Sequence, residues 1–205
     1  MTDRYVAGMI RRSIAAMLLV ALAGLAACNT PPSREPFPKL TYVHLPPYRL
    51  AVGRVDIVEA YHSPMKAPNI EQNFPVSPAA TAEQWAHDRL QAVGGPGRAV
   101  YTVLRADALE THLAGDQDTG LFGDFTIPQS ERYDLNIAVR LQIVDANGRS
   151  IASVDASATR SRTVAADATL NDRERVWFDM TEQAMVDLNA SLDKSIPQYM
   201  RAYLR

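Results

Sequence analysis

The sequence predicts an α+β domain: a mixed, antiparallel-rich sheet of about four strands with two helices on one face. Three observations carry this. Residues 50 to 106 read as strand, helix, strand; an alternating run from Tyr133 leads into an Asn-Gly turn; and a long helical stripe follows from Asn171.

The segment from Leu50 to Tyr61 is rich in Val and Ile and predicts the first strand, with Val55 and Ile57 on one face and Arg54 and Asp56 on the other. Residues 61 to 77 carry Pro64, Pro68 and Pro75 among Met65, Ile70, Phe74 and Val76. A connection this long and this apolar packs on something: either it lies across its own domain or it presents Ile70 and Phe74 to a partner. Ser77-Pro78 then supplies an N-cap and a first-turn proline. Ala82, Trp85, Ala86, Arg89, Leu90 and Val93 recur at helical spacing up to a Gly94-Gly95 stop, which predicts an amphipathic helix of about four turns. Trp85 reads as a core anchor.

From Arg98 to Ala106, Ala99, Tyr101 and Val103 share one side of a second strand, expected to run parallel to the first after the helical crossover. Residues 114 to 131 hold three glycines with Asp116, Asp118 and Asp124 and read as a polar loop. Tyr133, Leu135, Ile137, Val139, Leu141 and Ile143 then alternate without a break against polar or small residues, as a half-buried strand requires. Asn147-Gly148 suits the positive backbone angles of a tight hairpin turn. A turn centred there sets Leu141 opposite Val154, Ile143 opposite Ala152, Val139 opposite Ala156, and Arg140 opposite Asp155 on the wet face. The same parity puts Arg160 and Arg162 on the core side, so the core ends before them or a bulge intervenes. Asn171-Asp172-Arg173-Glu174 predicts the start of the last helix, with a capping box. Its stripe is Trp177, Met180, Ala184, Leu188, Ser191 and Leu192, up to a kink or end at Pro197. Tyr199, Met200, Tyr203 and Leu204 form an apolar tail that docks on the sheet or, if exposed, offers Tyr199 and Tyr203 to a partner.

Ahead of the domain, Arg11-Arg12 precedes 14 apolar or small residues, Ile14 to Ala27, too short a run to cross a bilayer as a helix. It ends in Leu25-Ala26-Ala27-Cys28, and Cys28 is the chain's single cysteine. This box resembles the lipobox of bacterial lipoproteins. The resemblance implies cleavage before Cys28, a diacylglycerol and fatty acyl chains such as palmitate on that residue, and a domain lipid-anchored in the cell envelope and facing the periplasm. Asn29 stands where aspartate favours inner-membrane retention in that family, so the outer membrane is favoured. The organisation expected is residues 1–27 as signal peptide, 28–48 as a tether with six prolines between Pro31 and Pro47, and 49–205 as a single domain.

Removing the leader leaves 178 residues with 18 basic and 22 acidic side chains, which gives no electrostatic basis for nucleic-acid binding. His44, His62, His87 and His112 stand alone, without metal-ligand spacing. Asp116-Gln117-Asp118-Thr119-Gly120 hints at a calcium loop, but Leu121 and Ile127 occupy the positions where glycine and the bidentate glutamate belong. Serine-hydrolase, Walker and dinucleotide motifs are absent. No enzyme activity, cofactor or metal is expected.

The order of elements behind a Pro-rich lipidated start is similar to that of small auxiliary lipoproteins of envelope ABC-type and lipid-transport systems, such as the paraquat-inducible-protein C type. Pro68-Asn69-Ile70-Glu71 through Trp85-Ala86-His87-Asp88-Arg89-Leu90 looks like a signature of uncharacterised proteobacterial lipoproteins. These resemblances imply a non-enzymatic accessory or scaffold of an envelope transport or assembly complex, with an envelope protein as partner. The alternative is a periplasmic binding module for a lipid or small apolar ligand, with a pocket between helix and sheet lined by Trp85, Tyr101 and Trp177.

Overall fold

Strict alternation from Tyr133 to Ile143 turns six apolar side chains to one side, and this stretch becomes the centre of the sheet. The structure is a computed structural model and describes residues 36–113 and 129–205. The lipobox, and most of the loop read over residues 114 to 131, lie outside the described residues. The elements are β1 (Tyr48–Leu50), β2 (Val55–Glu59), α1 (Pro78–Arg89), β3 (Leu90–Ala92), β4 (Arg98–His112), β5 (Gln129–Val144), β6 (Ser150–Ala165) and α2 (Leu170–Tyr199). Single 3-10 turns occupy Glu71–Asn73 and Arg201–Tyr203.

The main sheet has the order β2-β4-β5-β6, with β2 parallel to β4 and the other pairs antiparallel. The α+β class and the four strands agree with the sequence reading. The hairpin register agrees at the four expected pairs: Leu141 opposes Val154, Ile143 opposes Ala152, Val139 opposes Ala156 and Arg140 opposes Asp155. The turn is corrected: only Gly148 takes a positive φ (84°), its N–H donates to Asp145 O at 3.1 Å, and the ladder shifts so that Val144 opposes Ser150. Arg140 Nε lies 2.6 Å from Asp155 Oδ1. Between Glu131 and Ile143 the ladder has no bulge, so Arg160 and Arg162 do fall on the helix side. The core frays there: Arg162 is exposed, and half-buried Arg160 reaches Asp187 on α2.

Both helices cover the same sheet face. Trp85 of α1 stacks on Tyr101 of β4 at 5.7 Å, and Trp177 of α2 meets Tyr133 of β5 edge-on at 5.5 Å. Tyr101 pairs with Leu141, which shares the face of Tyr133 along β5, so the two contacts lie on one side. Trp85, Tyr101, Tyr133, Leu135, Leu141, Met185, Leu188 and Leu192 are at most 1 % exposed. Each large apolar side chain buried in this way contributes about 1.5–3 kcal/mol. The opposite face is wet and carries Arg132, Asp134, Arg140, Gln142, Ser153 and Asp155.

Four local readings are corrected. The stretch 50–61 is not one strand: it bends at Ala51–Gly53, so that β1 pairs with β3 and β2 with β4. The first helix stops at Arg89, because Leu90 turns extended (φ −109°, ψ 120°) and β3 aligns with Tyr48–Leu50. The second strand continues past Ala106 to His112, through an irregularity between Val103 and Arg105 that re-phases its alternation. The last helix starts at Leu170, with its capping box formed by Thr169 and Asp172 instead of Asn171 and Glu174, and it carries Pro197 within its last turn.

The compact unit reaches back to Phe37, so the last part of the expected tether is packed. Phe37 stacks on Phe178 of α2 at 5.2 Å, and Tyr42, 9 % exposed, donates its amide to Asp88 of α1 at 2.8 Å.

Candidate functional site

The loop 61–77 closes the sheet edge that β2 is too short to cover. Beyond Val103 no strand among the described residues continues β2 along that side of β4, and the loop supplies the missing partners: Ile70 N–H donates to Ala108 O at 2.9 Å and Glu110 N–H to Pro68 O at 2.8 Å. Between these, the Ala108 amide donates to the Glu71 carboxylate at 3.1 Å. Glu71 also accepts from the Tyr61 hydroxyl at 2.5 Å and from Asn69 Nδ2 at 3.4 Å. Burial by itself raises the Glu71 carboxyl. Hydrogen bonds from Ser63, Tyr61 and the backbone amides outweigh it and hold the group below its ordinary value. Ile70 and Phe74, expected to offer a partner surface, are 6 % and 7 % exposed; Phe74 stacks on Trp177 at 5.5 Å. They are a correction to the sequence reading. Their apolar groups complete the domain's own core, so the loop lies across its own domain.

The C-terminal tail divides. Tyr199 is 61 % exposed on the last turn of α2. Tyr203 is half-buried, its carbonyl accepting the Ala51 amide at 2.8 Å while Arg205 N–H donates to Arg49 O at 2.9 Å, so the tail docks on β1. The pocket envisaged between Trp85, Tyr101 and Trp177 is filled by their own stacking partners.

Two polar clusters were not foreseen. Arg89, 3 % exposed, lies 4.8 Å from the Tyr48 ring centroid and pairs with Asp193 of α2 at 2.5 Å. Asp193 also receives the Tyr48 hydroxyl and Asn189 Nδ2, and Asn189 Oδ1 accepts the Trp85 indole N–H at 2.8 Å. This network ties α1, α2 and β1 together. Asp107, 5 % exposed, is held by Arg105 and by Asn136 Nδ2 at 3.0 Å. The signal for Arg89 was its place in the apolar stripe of α1, which already marked it as inward.

A third feature is open. A hollow of about 500 Å³ lies between α1, β3 and β2, with Val55, Ile57, Ala86, Leu90 and Ala92 as apolar lining and Glu83, His87 and Gln91 beside them. Burial, then the nearby Glu59 carboxylate, push the Glu83 carboxyl up, while His87 one turn on draws it down. Among the described residues no three His, Cys, Asp or Glu side chains are placed to hold a metal ion, and no helix is long and apolar enough to cross a membrane.

No family model matches the chain, and no curated protein matches it. Among solved structures, the 2.35 Å crystal structure of a minor lipoprotein from Acinetobacter baumannii is similar at 16 % identity, over 70 % of this chain and 88 % of that one, with a TM-score of 0.32. That likeness is too distant to carry a fold or a role across.

Proposed function

We propose that this chain is a lipid-anchored envelope lipoprotein whose folded domain faces the periplasm, at the outer membrane, as a non-enzymatic accessory or scaffold of an envelope transport or assembly complex. The observation that carries the reading is Leu25-Ala26-Ala27-Cys28 behind the Arg11-Arg12 leader. A single acyl chain holds a protein only marginally, whereas several together hold it durably, at about 0.8 kcal/mol per buried methylene. The non-enzymatic part is supported by where the buried charges go: Glu71 is taken up by a sheet-edge amide, Asp107 by Arg105 and Asn136, and Arg89 by Asp193.

Metabolic labelling with an alkyne analogue of palmitate tests the anchor. Label on the wild-type chain, its loss in Cys28→Ala, and a shift of that variant from the membrane to the soluble fraction are expected. Equal labelling of the two forms, or none of either, overturns it. In-cell crosslinking through a photoreactive group at Tyr199 tests the scaffold role: a defined envelope protein is expected, and capture of lipid alone overturns it.

A further inference from the structure

Two hydrogen bonds fix which backbone groups of β2 serve its neighbour. Ala99 N–H donates to Arg54 O at 3.0 Å, and Ala60 N–H donates to Val103 O at 3.0 Å. In a parallel ladder alternate residues turn both backbone groups to the same side. Asp56 and Val58 therefore bond β4, and Val55, Ile57 and Glu59 aim their N–H and C=O groups outward, where the described residues place no strand. Side chains of the same residues Val55 and Ile57 line the hollow beside α1. An edge strand with free backbone groups next to a helix-walled apolar hollow has both parts of a strand-addition site: main-chain bonding for affinity and a pocket for alternate side chains.

Charge selects the occupant. Glu59 lies close enough to Glu83 to add to the rise that burial gives the Glu83 carboxyl, and no Lys or Arg among the described residues forms an ion pair with either. His87, one turn on, is the nearby group that offsets Glu83. Glu83 at the rim of the apolar floor, with Glu59 two residues beyond Ile57 on the same face of β2, is complementary to a chain that carries an apolar side chain and, two residues along on the same face, a cation.

We propose that the outer edge of β2 and the facing side of α1 form a binding site for an extended polypeptide strand, which pairs with Val55, Ile57 and Glu59, sets an apolar side chain into the hollow and places a Lys or Arg beside Glu59 and Glu83. This gives the scaffold reading a partner chemistry and rests on that reading for its biological setting alone; lipid attachment plays no part in the contact, so palmitate labelling and strand binding fail separately.

The test uses the full-length chain in detergent micelles and a display library of random nine-residue peptides as probe. Selected peptides are expected to carry an apolar residue and a Lys or Arg two positions apart. Their binding is expected to slow hydrogen exchange at the Val55, Ile57 and Glu59 amides at least tenfold. N-methylation of alternate peptide amides is expected to weaken binding at least tenfold, as are Glu83→Lys and Glu59→Lys, which lie at half-buried and exposed positions and leave the fold intact by circular dichroism. The proposal is overturned by failure of the library to enrich, by selection of acidic peptides, or by protection that appears along β6 instead. Concentration-dependent dimerisation that protects the same three amides without peptide also overturns it, since the occupant is then a second copy.

Discussion

The Glu71 carboxylate stands in for a strand partner where β4 outruns β2, and a glutamine there keeps one acceptor but loses the charge that strengthens three incoming hydrogen bonds. Glu71→Ala, which leaves the Ala108 amide without its acceptor, is expected to cost about 2–3 kcal/mol in urea denaturation, and Glu71→Gln less. Because the folded carboxyl sits below its ordinary 4.5, its contribution is complete above that pH and is lost as pH falls through the folded value; the acid limb of the stability curve is expected to flatten in Glu71→Gln. Tyr101 offers the opposite case. Its ring is fully buried and its hydroxyl finds no hydrogen-bond partner among the described residues, so Tyr101→Phe is expected to hold or raise the melting temperature. The Arg89–Asp193 pair is asymmetric: Asp193 is 41 % exposed and Arg89 is not. Asp193→Ala strands a buried cation and is expected to cost about 3 kcal/mol, more than Arg89→Met, whose remaining carboxylate meets water. Burial of Trp85 and Tyr101 was legible from their spacing. The role of Glu71 was not, because its decisive partner is a backbone amide 37 residues away, which no side-chain pattern marks.

Elements were legible in proportion to how local their causes are. The β5–β6 hairpin follows from one alternation and one Asn-Gly turn, both inside 25 residues, and its four named pairs hold; the turn itself differs, because its geometry is decided by the backbone of Asp145–Gly148 and a ladder shift beside it. Leu90–Ala92 was misread because its fate is decided by Tyr48–Leu50, some 42 residues upstream; helical periodicity runs on through Leu90 while the chain leaves the helix to pair. The start of α2 was misplaced by about a residue, since both Thr169 with Asp172 and Asn171 with Glu174 satisfy the capping pattern and backbone geometry selects the first. Thr169→Ala is expected to destabilise the domain by about 1 kcal/mol, and Asn171→Ala to change it little, both read by thermal melting.

At the scale of the molecule, the stretches of sheet edge are treated differently. Where β4 outruns β2 its flank is sealed by the loop 61–77, whereas the short β2 and the 16-residue β6 on the far side have no strand outside them among the described residues. Hydrogen exchange is expected to be slowest along β5, which has a partner on both sides, and fast at the β6 amides that face outward; equal protection across the hairpin contradicts this order. The overall layering was legible because hydrophobic alternation and helical stripes report which face is buried. Docking of the Pro-rich segment was not, because prolines describe a stiff extended chain equally well in water or against a helix pair. That docking sets the reach of the domain. From Cys28 to Phe37 there are nine residues, which extend to about 30 Å at most, whereas a free leash as far as residue 48 spans more than twice that. With Cys28 acylated as proposed, that reach holds Phe37 within about 30 Å of the lipid headgroups, and whatever engages the domain must come to the bilayer surface.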